Sequence, residues 1–323
     1  MRSKKLFLLL RIVISCGILY LIFRKLEYDQ MKNLIPKLII SFLMLSFLFV
    51  LLDRVLMSQR WNILLKAKKT VIPFIEIVRI YFVTSFLGMF VPSSIAPDAM
   101  RAYLATKYGC TNAGAISSIF LDRLLGFLSF ALVASVSCLV LFLNGNSQII
   151  STTMLILVLM PFLAIALWLL LHRYIAQILQ KFSGTRYLNS VSRILVDFYS
   201  SLISYKNNVR DLIKVTTFCF LNHGLFIVTV YLITLSLNVQ VPVVNLCIFV
   251  PLVALVTMVP ISLGGLGVQE GAYVYLFSRS GLSVQESIAV AFLIRVVSTM
   301  GCIPGGFLYL GSGFQGKKIH EGG

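Results

Sequence analysis

The stretch V-P-I-S-L-G-G-L-G-V-Q-E-G-A-Y-V-Y-L-F, residues 259–277, lies between long apolar runs and leads through Gly281 to F-L-I-R at 292–295. Pro260, Gly264, Gly265, Gly267 and Glu270 interrupt what is otherwise membrane-like sequence. Inside a bilayer, broken backbone and a carboxylate are tolerated only where protein or a wet cavity satisfies them. The segment therefore points to an α-helical membrane fold and to a first candidate for a working site.

The rest of the chain agrees. Of 323 residues, 59% are apolar and 12% charged, and the mean hydropathy is +0.94, so a single soluble core cannot absorb the apolar runs and a polytopic membrane protein is implied. The net charge of +17 would suggest nucleic acid in a soluble chain. Here the basic residues cluster in short loops, where they report orientation and contact with anionic head groups. Cys16, Cys110, Cys138, Cys219, Cys247 and Cys302 have no C-x-x-C spacing and read as small hydrophobes. Residues 1–23 lack a convincing small-x-small cleavage site and are expected to remain as a signal anchor and first helix.

About eight transmembrane spans are expected, at 6–23, 36–56, 73–90, 115–142, 150–171, 212–236, 243–260 and 284–310. The basic loop 54–70, the polar region 172–211 and both tails are expected in the cytoplasm by the positive-inside rule. Loop 24–37, with four basic residues on the expected outer side, runs against that topology. Within 172–211, Leu188, Val191, Leu195, Phe198 and Leu202 have helical spacing, which suits either a helix in the membrane interface or one packed on the bundle. The topology needs a short return segment after each interrupted region. Residues 98–108 and 269–279 stand in the right places but are too short to span alone, so they are expected as re-entrant or broken helices.

The two interrupted regions resemble one another at an offset of 172 residues: Asp98 meets Glu270, Tyr103-Leu104 meets Tyr275-Leu276, Gly109 meets Gly281, and F-L-D-R at 120–123 meets F-L-I-R at 292–295. The chain is thus expected to form one integral membrane domain, residues 1–323, with repeat-like halves around 73–142 and 243–310 in inverted orientation. Pro92, Pro97, Pro260, Gly264, Gly265 and Gly267 are the expected hinge and turn residues.

The candidate substrate site comprises Asp98, Arg101, Asp122, Arg123, Gln269, Glu270 and Arg295. A carboxylate at the start of a short helix caps free amides, binds a cationic group or carries a proton. A guanidinium placed at membrane depth costs on the order of 2.5–3.5 kcal/mol on insertion scales, which a carboxylate or a phosphate partner offsets. Ion pairing and phosphate contact both fit at this level. His172, His223 and His320 form no metal triad, G-G-x-G follows no strand, and no hydrolase or zinc-protease motif occurs, so no metal, cofactor or catalytic set is expected.

P-I-S-L-G-G-L-G-V-Q-E-G-A at 260–272, with A-V-A-F-L-I-R at 289–295, resembles the C-terminal signature of the lysylphosphatidylglycerol synthase transmembrane-region family, also called the flippase-like domain family. F-V-P-S-S-I-A-P-D-A-M-R at 90–101 with F-L-D-R resembles its N-terminal signature, although the glycines many members carry there are replaced around Ser93, Ser94, Ala96 and Pro97. The resemblance implies a stand-alone membrane member without the soluble aminoacyl-transferase domain, multi-pass in the inner membrane of a prokaryote. It implies lipid translocation, as flippase or scramblase, of an anionic phospholipid or polyprenyl-phosphate-linked lipid. An intramembrane transferase and a structural subunit of an envelope assembly are the alternatives. The implied partners are membrane phospholipids or isoprenoid-linked lipids, and a homo-oligomer or an envelope-biosynthesis partner; nucleic acid is not among them.

Overall fold

A computed structural model of the chain describes residues 2–24, 36, 38–91, 95–143, 189–258 and 262–311. Among these residues the secondary structure is all-α: α1 (Arg2–Arg24), α2 (Ile40–Ala67), α3 (Phe74–Gly88), α4 (Ala96–Thr106), α5 (Asn112–Leu143), α6 (Asn189–Ser204), α7 (Val209–Ser236), α8 (Val243–Met258), α9 (Val268–Arg279), α10 (Val284–Met300) and α11 (Ile303–Gly311). Four stretches, Ile40–Ala67, Asn112–Val140, Val209–Ser236 and Val284–Gly311, are long and apolar enough to cross a membrane. Val13–Ile22 and Val243–Thr257 are shorter apolar helices. The protein is a polytopic α-helical membrane protein. The expected span at 150–171, Pro92, Pro260 and most of the loops 24–37 and 144–148 lie outside the described residues.

α2 differs from its expected form. The basic residues at 54–70 read as a loop, yet the helix runs on to Ala67. No proline or glycine breaks it, and two of its polar side chains find partners inside the bundle: Arg60 reaches Asp122, and the Trp61 indole donates to Ser118 Oγ at 3.1 Å. The helix ends only where Lys69 turns left-handed, at φ 58°. At 1.5 Å per residue its 28 residues reach about 42 Å, longer than a hydrocarbon core about 30 Å thick. On its other face Ile40, Met44, Leu48 and Leu52 are exposed at i+4 spacing, a stripe suited to lipid.

α6 packs on the bundle rather than standing apart from it. Leu202 and Tyr205 are buried against α2 and α5, the Tyr205 hydroxyl donates to Leu64 O at 3.0 Å, and Phe198 meets Phe120 edge-on. Lys68, just past the end of α2, donates to Ser201 O and Ser204 Oγ beneath α6, and its partial burial there lowers its pKa from the ordinary lysine value.

The short helices form as the sequence suggests. Pro97 sits in the first turn of α4, where its missing N–H costs nothing. α9 starts from Gly267, and its 12 residues, like the 11 of α4, reach roughly half of the hydrocarbon core.

Two parts of the chain are built alike. α4 and α9 begin 172 residues apart, and so do α5 and α10. Gly109 and Gly281 follow the short helices with φ of 83° and 96°. Lys107 lies 4.9 Å over Tyr103, and Arg279 lies 5.1 Å over Tyr275. α2 packs on α3 as α7 packs on α8, and α3 on α4 as α8 on α9. The second half of α5, with Ala134 and Cys138, joins the core around α8, while α11 lies on α3. That last contact is close enough for a Cβ at Gly305 to collide with the carbonyl of Phe82. α1 is an addition to the second part: it packs on α9, with Ile18 against Gly267 and Gly271.

Candidate functional site

Asp98 is the first-turn carboxylate of α4, and Arg123 reaches it from α5. Arg123 Nε donates to Oδ2 and Nη2 to Oδ1, each at 3.0 Å, a bidentate fork. Arg101, one turn after Asp98, donates to the same Oδ1. Its side chain is 3% exposed and lies across two rings, 4.5 Å from the Tyr81 centroid and 5.6 Å from that of Trp61. Arg101 Nη1 is buried without a hydrogen-bond partner among the described residues. Two guanidinium groups thus share one carboxylate, leaving a formal excess of one positive charge. Arg123 is the open member, with 43% of its side chain exposed.

The second cluster is closed. Glu270 Oε2 accepts from the Gly267 N–H at 2.7 Å, and Oε1 accepts from Arg295 Nε at 2.5 Å. One carboxylate therefore caps α9 and neutralises an arginine, so capping and ion pairing coexist here, whereas among the described residues the Asp98 side chain accepts only from arginines. The two Nη atoms of Arg295 each donate once to backbone: Nη2 to Gly265 O at 3.0 Å and Nη1 to Gly264 O at 3.5 Å. Those carbonyls face the arginine because Gly264, Gly265 and Gly267 take φ of 55°, 79° and 81°, which glycine adopts freely. Gln269 is half-buried in the same turn.

Both couples join residues 25 apart, and each closes within its own part of the chain. The counterpart of Arg101 is Tyr273, 1% exposed and stacked on Phe277 at 5.6 Å. That exchange is why one cluster carries a net charge and the other does not.

Asp122 is placed elsewhere. It faces α2, where Arg60 holds it with Nη2 at 2.6 Å and Nε at 2.9 Å to Oδ1, both side chains 4% exposed. Arg60 Nη1 reaches Asn222 Oδ1 at 3.4 Å, and Asn222 Nδ2 donates to Asp53 Oδ1 at 2.7 Å. His223 stacks on Phe130 at 3.4 Å and pairs with Ser129 Oγ at 2.8 Å, a hydrogen-bonded packing histidine. Asp53, Arg60 and Asn222 are the polar residues that sequence reasoning passes over; the available signal was a charged pair inside an apolar run with no helix breaker. Among the described residues no group of three His, Cys, Asp or Glu side chains is placed to hold a metal ion.

Fold and clusters together define a polytopic membrane protein with two arginine–carboxylate couples, each fastened to a short helix. The chain matches the family model described as "Lysylphosphatidylglycerol synthase TM region" over residues 8–305, and it belongs to that family. It is also similar to a "UPF0104 membrane protein" of Methanothermobacter thermautotrophicus, 26% identical over 287 residues that cover 80% of this chain and 79% of the relative.

Proposed function

We propose that the protein moves an anionic lipid between membrane leaflets, as flippase or scramblase, and that Arg123 receives the phosphate of its head group. The observation that carries this reading is the charge excess at Asp98: two guanidinium groups on one carboxylate, the outer one 43% exposed, against a second cluster in which one carboxylate balances one arginine that is 23% exposed. A guanidinium with free donors beside a neutralising partner suits a phosphate oxygen in a low-dielectric setting. Membership of a family named for the membrane region of a lipid synthase supports a lipid rather than a soluble anion.

In this reading α2–α5 and α7–α11 form an inverted repeat and the short helices are re-entrant, so that rocking one part against the other opens the head-group site to each leaflet in turn. The matched contacts, glycine turns and ion couples support it. The basic loops favour both termini in the cytoplasm of a prokaryotic cell. The substrate is an anionic phospholipid or a polyprenyl-phosphate-linked lipid.

The test is reconstitution into liposomes carrying labelled lipids of several head-group classes. Faster leaflet exchange of anionic lipids than of zwitterionic ones, lost in Arg123→Gln, is expected. No acceleration for any class by folded protein overturns the reading.

A further inference from the structure

Asp53 stands at the midpoint of α2, and Asn222 at the midpoint of α7. The two helices have 28 residues each, both are long and apolar enough to cross a membrane, and the two residues occupy the same register, 169 apart. Their contact therefore falls at the middle of the bundle's depth. Asp53 is 9% exposed, and among the described residues its carboxylate accepts a single hydrogen bond, from the neutral amide of Asn222.

No charged neighbour hydrogen-bonds to Asp53 among the described residues, and the buried Nε of Arg54 finds no partner there at all. Arg54, the next residue on α2, projects about 100° away around the helix and directs Nη2 to Cys302 Sγ at the α10–α11 junction, 3.8 Å away. Arg60, two turns on, is committed to Asp122 of α5. His223 of α7 points to Ser129 and Gly126 O, and the Tyr81 hydroxyl of α3 points to Met57 Sδ. No cation forms an ion pair with Asp53 among the described residues. A carboxylate so placed loses its hydration and regains one neutral donor, which favours the uncharged acid. Taking up a proton removes the charge and leaves the Asn222 bond to Oδ1 in place.

We infer that Asp53 is a proton-binding site on the central helix pair, holding its proton while α2 and α7 are closed and releasing it to water when they part. Lipid movement is thereby coupled to proton movement, a step that rests on the lipid-translocation reading. The chemistry is one reversible O–H ionisation, with water as the proton's destination.

Two measurements test this. Infrared pH titration of the protein in lipid nanodiscs is expected to give a carbonyl stretch of a protonated carboxylic acid at neutral pH. The band disappears in Asp53→Asn, which keeps an acceptor for Asn222, and shifts in Asn222→Leu, which keeps the acid and removes its donor. A band unmoved by both variants overturns the proton site. In liposomes under an imposed pH gradient, exchange by the wild type is expected to change several-fold with gradient direction and exchange by Asp53→Asn to be indifferent to it. Equal responses in the two overturn the coupling. If the folded wild type moves no lipid at all, the translocation reading and the coupling fail together, while the infrared band still decides the proton site.

Discussion

Arg123 holds Asp98 edge to edge, two donors against two oxygens, yet leaves part of its guanidinium in the open. Lysine keeps the charge but cannot present that fork. Hydrogen bonds to charged groups contribute about 1.5–3 kcal/mol. Arg123→Lys is expected to slow exchange of an anionic lipid roughly ten- to a hundredfold with little change in thermal stability. Liposome exchange and a melting scan on the same preparation read the two quantities apart. A fully active Arg123→Lys protein would remove Arg123 from the head-group site.

The Arg60–Asp122 pair has a structural consequence instead. Both side chains are sequestered between α2 and α5, so removing one partner strands the other. Asp122→Leu alone is expected to destabilise the protein by about 3–5 kcal/mol, and the double change Arg60→Met with Asp122→Leu to recover most of that loss. Denaturation in detergent, arranged as a double-mutant cycle, measures both.

Gly267 meets two requirements at once. Its φ of 81° starts α9, and a Cβ there would stand 2.9 Å from the Ser15 carbonyl of α1. Gly267→Ala is expected to cost about 1–3 kcal/mol and to loosen α1 from α9. Gly17→Ala on α1, whose new Cβ meets nothing within 4 Å, serves as the control in the same thermal scan.

Glu270→Gln separates the two duties of that residue. The amide oxygen of glutamine still accepts from Gly267, so α9 is retained, while its NH2 group replaces the oxygen at Arg295, which loses both counter-charge and acceptor. Glu270→Gln is expected to fold and to raise the affinity of the second cluster for anions. Binding of a fluorescent anionic lipid to the purified variant and the wild type checks this, and equal affinity would count against a head-group role for Arg295.

Much of this was legible from the sequence because breaks are local. Pro97, the glycine run 264–267 and the offset of 172 residues mark the short helices and their twin ion couples without reference to the rest of the chain. Asp122 was misleading for the opposite reason. Adjacent to Arg123, it reads as part of the Asp98 cluster, but successive helical residues face about 100° apart, and Asp122 belongs to a partner 62 residues upstream. The length of α2 was hidden likewise: Arg54 and Arg60 look like loop residues until their distant partners are in view. Tyr273 in place of Arg101, the exchange that makes the clusters electrically unequal, needed the fold to give it meaning.

The contact of α11 with α3 also governs how the protein is made. α3 leaves the ribosome well before α11, yet the glycines that fit against Phe82 and Phe86 belong to that later helix. Until Gly305 and Gly306 arrive, that face of the nascent chain is open to lipid, to the insertion machinery or to another unfinished copy. Membrane insertion can proceed helix by helix, but closure of the first half waits for α11 to emerge.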